Sequence, residues 1–214
     1  MADQEAKLEH EIHAHEDEDP AVHATRRAVL QAAIGVGVAG TLLSTLYVGA
    51  GLVPKKVVTP ENEPLAAGDI LVYAQGDNKD KPISPADLKL GGPQTIAYPM
   101  NPKTNVVKGG DPNNTVLVVK LEPSRLSPAT AKDAAGGIVA YSGVCKHLGC
   151  IVSNWEASTE DFVCPCHQGH YDPANGGKVV SGPPPKPIPQ LPIKVENNQI
   201  IATAFFVAEP GKEV

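Results

Sequence analysis

Two short segments carry the residues best suited to chemistry. The first is Cys145-Lys146-His147-Leu148-Gly149-Cys150 and the second is Cys164-Pro165-Cys166-His167-Gln168-Gly169-His170-Tyr171. All four cysteines of the chain fall in them, within 22 residues. Each segment offers a thiol and an imidazole two or three residues apart, a spacing that aims two ligands at one small object. Structural disulfides are more often spread along a chain, so thiols clustered beside histidines read as a metal or cluster site. Two cysteines and two histidines can hold zinc tetrahedrally. The same donors suit an iron–sulfur cluster, and spacing alone leaves both open.

The two segments resemble the Rieske iron–sulfur proteins, whose pattern is C-x-H-x-G-C followed by C-x-C-H. The run Gly182-Pro183-Pro184-Pro185 is similar to the proline loop that covers the cluster in that family. The resemblance implies a Rieske-type 2Fe–2S cluster, with Cys145 and Cys164 on one iron and His147 and His167 on the other. It also implies a Cys150–Cys166 disulfide joining the two loops. Such a bridge is worth about 3 kcal/mol in the loop-entropy model, less where a cluster already ties the loops. A lasting disulfide requires an oxidising compartment. Zinc would leave Cys150, Cys166 and the proline run without a role.

Further positions carry over one by one. Tyr171 matches the tyrosine that hydrogen-bonds a ligand cysteine sulfur. Leu148 matches the exposed tip residue that packs at the quinone pocket. His170 stands at no ligand position and reads as a surface residue. Gly169 departs from ubiquinone-using members, which often carry a serine there whose hydroxyl bonds a cluster sulfide. Lys146 replaces a common threonine, and the resemblance assigns it no role.

Two thiolates instead of four leave the centre less negative, so an added electron is easier to accept. Rieske centres lie at about −150 to +300 mV, against about −400 mV for plant-type ferredoxins. The resemblance thus implies an electron-transfer subunit of a cytochrome bc-type (quinol–cytochrome c oxidoreductase) complex in a respiratory chain. Quinol would bind against a cytochrome b-type partner. His167, with His147 as the second choice, would accept its hydrogen bond and proton, and a c-type cytochrome would take the electron. The missing hydroxyl at Gly169 favours a lower potential and menaquinol. The Rieske small subunit of arsenite oxidase, which only relays electrons, is the alternative. Ferredoxin-type modules of dioxygenases lack the disulfide pair and an anchor.

These loops need a scaffold, and the composition points to a β one. Of 214 residues, 42% are hydrophobic and 20% charged, while Gly 20 and Pro 21 demand many turns. Runs rich in β-branched and aromatic residues occur at 70–75, 95–98, 115–121, 138–142, 151–155, 178–180, 191–195 and 199–206. Turn signals such as Gly91-Gly92-Pro93, Asn175-Gly176-Gly177 and Asn197-Asn198 separate them. Helix is scarce, with a turn or two expected at 128–135. The expected fold is mainly β: a Rieske-type antiparallel β-sandwich over 65–207, with a small cluster-binding part at about 143–187, preceded by one transmembrane helix.

The 26 residues Ala28 to Val53 carry no charge. As a helix they would extend about 39 Å, against a hydrocarbon core of roughly 30 Å. Small residues recur on this run, with Ala33, Gly37 and Thr41 on one line and Gly40 and Ser44 on another. Thr25-Arg26-Arg27-Ala28-Val29-Leu30-Gln31 resembles a twin-arginine export signal. Segment 26–53 is therefore expected to stay as a signal anchor in the cytoplasmic membrane of a bacterium. The N-terminus would be cytoplasmic and the Rieske domain on the outer, periplasmic side.

The net charge of −6 is uneven. Residues 1–25 hold eight acids and one base, and read as a disordered cytoplasmic arm. The remainder holds 17 bases and 16 acids, so no basic patch argues for nucleic acid. Residues 54–64, with three prolines, read as an extended tether, and 208–214 as a tail.

Overall fold

The computed structural model describes residues 20–52 and 58–211. They fall in two compact units parted between Lys56 and Val57. Most of the expected arm 1–25, residues 54–57 of the expected tether and the end of the expected tail lie outside the described residues.

In the first unit, helix α1 runs Pro20–Leu52. Proline suits a first helical position, because the N–H it lacks would have no partner there. The stretch Thr25–Val48, of mean hydropathy 1.7, is long and apolar enough to cross a membrane. Val29, Ile34, Leu42 and Leu46 are all exposed on its surface. The hydroxyls of Thr41, Ser44 and Thr45 are satisfied within the helix. Thr41 donates to the Gly37 carbonyl at 3.0 Å, and Ser44 and Thr45 donate to the Thr41 carbonyl. Such back-bonding removes much of the cost of carrying hydroxyls into hydrocarbon.

The second unit is built of antiparallel strands. They are β1 (Ile70–Tyr73), β2 (Thr95–Met100), β3 (Val116–Lys120), β4 (Ile138–Ser142), β5 (Asn154–Glu156), β6 (Asp161–Cys164), β7 (Gly169–Asp172), β8 (Lys178–Ser181), β9 (Gln190–Leu191), β10 (Ile193–Glu196) and β11 (Gln199–Ala202). A short helix α2, Pro128–Lys132, starts where Ser127 accepts a hydrogen bond from the Thr130 N–H. One sheet has the order β10-β11-β1-β2-β3-β4-β9, and the other β5-β6-β7-β8. The edges of the larger sheet, β9 and β10, are separated only by Pro192, so that sheet nearly closes on itself.

The expected strand at 191–195 is therefore two strands. Leu191 pairs with Ala140 of β4, whereas Ile193 pairs with Ala202 of β11. Pro192 has no N–H to give to either ladder and breaks the run. Strands β6 and β7 went unseen in the sequence, because the motif residues hide their alternation.

Strand β3 is buried on both faces. Val116 and Val118 point into one core with Leu71, Ala97, Ala140 and Ile200. Leu117 and Val119 point the other way, into a second core with Tyr141, Phe162, Tyr171 and Ile188. Alternate side chains of a strand face opposite sides, so one apolar run serves two cores. The second core sits between the two sheets and includes Cys145 and Cys164.

The described end of the expected tether is laid onto this unit. Pro60–Asn62 form a 3₁₀ turn, and the Gly110 N–H donates to the Glu61 carbonyl at 2.9 Å. Asn114, 3% exposed, accepts from the Leu65 N–H at 3.0 Å and donates to the carbonyls of Glu63 and Lys108 at 2.8 and 3.0 Å. Lys108 donates to the Pro64 carbonyl at 3.1 Å and pairs with buried Asp69 at 2.7 Å. Replacing Asn114 by Ala strands the buried backbone groups of Leu65 and Lys108 and frees the Glu63 carbonyl. Asn114→Ala is expected to lower stability by about 2–4 kcal/mol, read as a lower unfolding temperature of the full chain, with faster proteolysis at 58–64.

Candidate functional site

The first loop leaves β4 through Gly143. A Cβ there would meet the Thr115 side chain at 2.6 Å, so the turn needs glycine. The Gly143 N–H donates to the Thr115 carbonyl at 2.7 Å and the Val152 N–H to the Gly143 carbonyl at 2.8 Å. Cys145 N–H donates to the Cys150 carbonyl at 2.8 Å, and Gly149, at φ +80°, donates to the Cys145 carbonyl at 3.0 Å. These bonds close 145–150 into a tight turn with Leu148 at its tip, 55% exposed.

The second loop joins β6 to β7. Cys164 is the last residue of β6 and pairs with Gly169, the first of β7. The turn closes through the Gln168 N–H, which donates to the Cys164 carbonyl at 3.0 Å. Gln168 takes φ 52°, a left-handed conformation uncommon outside glycine. A disulfide between Cys150 and Cys166 fastens the two loops together.

The remaining donors divide by burial. Cys145 and Cys164 are free thiols, 2% and 1% exposed. His147 is half-buried and His167 exposed. Their rings meet edge to face, with centroids 4.6 Å apart. Burial pushes the Cys164 thiol up, and the neighbouring Cys145 adds to the effect. A thiol shifted in this way keeps its proton until a cation displaces it. The Nδ1 atom of His147 is buried without a hydrogen-bond partner. A buried imidazole nitrogen left unpaired beside two buried thiols fits a site that holds metal. The donor set Cys145, Cys164, His147 and His167 could hold a 2Fe–2S cluster.

The surroundings are shaped for the same purpose. Tyr171 is fully buried, with its hydroxyl 3.1 Å from Cys145 Sγ and accepting from the Lys146 N–H at 3.2 Å. Burial, with Cys145 beside it, pushes the Tyr171 hydroxyl far above its ordinary value, so it stays a proton donor. Pro184 is buried over the second loop, and a Cβ on Gly169 would lie 2.5 Å from its Cγ. Gly182 approaches the same loop so closely that a Cβ would lie 2.6 Å from the Gln168 carbonyl oxygen.

Two residues differ from their sequence reading. His170 is half-buried, its Nδ1 3.7 Å from Asp161 Oδ2, where Thr159 also donates at 2.7 Å. Lys146, which had no role, is buried at 4% exposure and reaches the Glu209 carbonyl at 2.5 Å. Its place between Cys145 and His147 was the only signal available.

The family model described as Rieske [2Fe-2S] domain matches residues 99–192. A Haloferax mediterranei protein whose name includes "respiratory nitrate reductase subunit Rieske" is 45% identical over 145 residues, 65% of this chain and 62% of that protein. The chain thus spans under two thirds of that relative. A chain of a hyperthermophilic respiratory Complex III is 25% identical, with 79% of this chain and 98% of that one covered and a TM-score of 0.39. A cytochrome bc1 complex Rieske iron–sulfur subunit of Streptomyces lividans is 34% identical over 139 residues, 62% of this chain and 79% of the relative. With that share of a whole relative matched, the chain belongs to the Rieske iron–sulfur protein family, whose centre is a 2Fe–2S cluster.

Proposed function

We propose that the chain is the electron-transfer subunit of a cytochrome bc-type complex, held in a bacterial cytoplasmic membrane by α1. In this reading Cys145 and Cys164 hold one iron and His147 and His167 the other. When bound, the cluster supplies one-electron redox chemistry. One observation carries the reading: both thiols are buried while His167 and Leu148 face outward on adjoining loops. An imidazole at the surface is the group that a hydroquinone can reach.

The chain's own residues then have distinct tasks. His167 accepts a hydrogen bond from a quinol hydroxyl and takes its proton, with His147 as the more sheltered second site. Leu148 packs against the quinone pocket of a cytochrome b-type partner. Negative charge arriving beside the imidazoles raises their proton affinity, so electron and proton uptake go together. The head, on the outer face of the membrane, passes the electron to a c-type cytochrome. Residues 61–65 are bonded to the head through Gly110, Lys108 and Asn114, so this part of the expected tether belongs to the head.

A second reading follows from the 45% identical Haloferax relative: a Rieske subunit serving a respiratory nitrate reductase. The same head would then serve a different assembly. Purifying the intact membrane complex separates the two. Haem b in the spectrum and quinol-dependent reduction of a c-type cytochrome support the bc-type reading. A complex that reduces nitrate and lacks haem b sinks it.

The hydrogen-bond pattern sets the expected potential. Hydrogen bonds to the ligand sulfurs raise it, and Gly169 supplies no hydroxyl. The full chain is expected to titrate below serine-containing Rieske proteins, in a range suited to menaquinol. Tyr171→Phe removes the hydroxyl beside Cys145 and should lower the midpoint further without loss of iron. An unchanged midpoint in a redox titration would refute the role given to Tyr171.

A further inference from the structure

Lys146 lies in the first loop between Cys145 and His147, yet its side chain is turned to another task. The residue is 4% exposed. Its ammonium donates to the Glu209 carbonyl at 2.5 Å, while its backbone N–H donates to the Tyr171 hydroxyl at 3.2 Å. Lysine can usually carry its ammonium to water along a flexible stem. Here the C-terminal segment holds it in.

That segment is itself fastened to the base of the loop. The Val207 N–H donates to the Gln190 carbonyl at 2.9 Å. Phe206 is 5% exposed. Gly211 is buried, and a Cβ on it would lie 2.9 Å from Asn113 Oδ1 and 3.6 Å from Val144 Cγ1. Part of the expected tail 208–214 is thus packed against the residue that precedes Cys145.

We propose that Lys146, clamped by the C-terminal segment through the Glu209 carbonyl, raises the reduction potential of the centre held by the adjoining loops. The sign follows from Coulomb's law. Reduction adds negative charge, and a cation fixed in a poorly solvated place one residue from Cys145 favours it. Removing the cation lowers the potential whatever other charges lie nearby, since those stand before and after. Releasing the clamp acts the same way, because an ammonium freed into water is screened. The C-terminal segment is then a positioning element for the potential, acting through a residue 63 positions away.

The inference rests on the proposed ligand set, and the test separates the two. The full chain in detergent is titrated by electron paramagnetic resonance as the parent, Lys146→Met, Lys146→Arg, a truncation after Ala208, and that truncation combined with Lys146→Met. Lys146→Met is expected to weaken the reduction equilibrium about threefold to tenfold, tenfold being about 59 mV for one electron. Lys146→Arg keeps most of the parent value. Truncation lowers the midpoint more with Lys146 present than in the Lys146→Met background, a comparison that cancels the acidic charges lost with the tail. A parent midpoint in Lys146→Met, or equal truncation shifts in both backgrounds, overturns the proposal. If Lys146→Met fails to load iron, the arginine variant and the truncation decide it. A parent that shows no Rieske signal overturns the ligand set, and the inference with it.

Discussion

Everything at the tip depends on one wall being buried from both sides. Strand β3 and its neighbour β4 give one set of side chains to the interior of the nearly closed sheet and the other set to the space under the smaller sheet. Val116, Val118 and Ala140 serve the first core, and Leu117, Val119, Val139 and Tyr141 the second. A strand wet on one face could not hold the smaller sheet. With the wall dry on both faces, the first loop leaves β4 and the second is carried by β6 and β7 on the same packed surface. Phe162 joins them, edge to face with Tyr141 at 5.8 Å and with Trp155 at 5.6 Å. Edge-to-face pairs of this kind add direction to an otherwise non-directional core.

From that wall follows the division of the donors. Residues facing the core are dry and those at the loop tips are wet, and the loops place one thiol each at the dry end. Free thiols tolerate burial because they are weakly polar. Imidazoles do so less readily, and His167 is exposed while His147 keeps one nitrogen unpaired. The disulfide sits between these levels, with Cys150 half-buried and Cys166 exposed. It joins two turns that are each already closed by backbone hydrogen bonds. Its main effect is then on the relative placement of the loops, not on either loop alone.

Much of this was legible in the sequence, for identifiable reasons. Thiols and imidazoles at two- and three-residue spacing have few uses, so the loops stood out. An uncharged run of 26 residues announces a long apolar helix. The strands away from the site showed their β-branched runs. Strands β6 and β7 did not, because Cys164, Gly169 and His170 occupy strand positions for reasons of chemistry and erase the alternation. The split at Pro192 was hidden because each half is too short to show a period. Lys146 and Asn114 were silent for another reason. Their partners are backbone groups, 63 residues away for Lys146 and six to 51 residues away for Asn114, and a backbone partner leaves no mark in a sequence. His170 read as a surface residue because nothing local announces Asp161 on the adjacent strand.

Gly169 joins the cover of the site to its electrostatics. A serine there would bring a hydroxyl toward the second loop, but its Cβ would fall 2.5 Å from Pro184 Cγ and 3.0 Å from Pro184 Cδ. The proline is buried and its ring is stiff, so the cover would have to lift. Gly182 shows the same closeness from the other side, its position facing the Gln168 carbonyl and the Gly169 Cα. Two glycines back to back let one stretch of chain rest on another almost at backbone contact. The absence of a hydroxyl at 169 is therefore not a simple deletion of a donor. It is the geometric condition for a proline cover this close to the second loop. A cover that made the surroundings less polar would disfavour the more negative, reduced site, and would act with the missing hydroxyl toward a lower potential. On the proposed ligand set, Tyr171 and the clamped Lys146 would act in the opposite direction, and the working potential would be the balance between these influences.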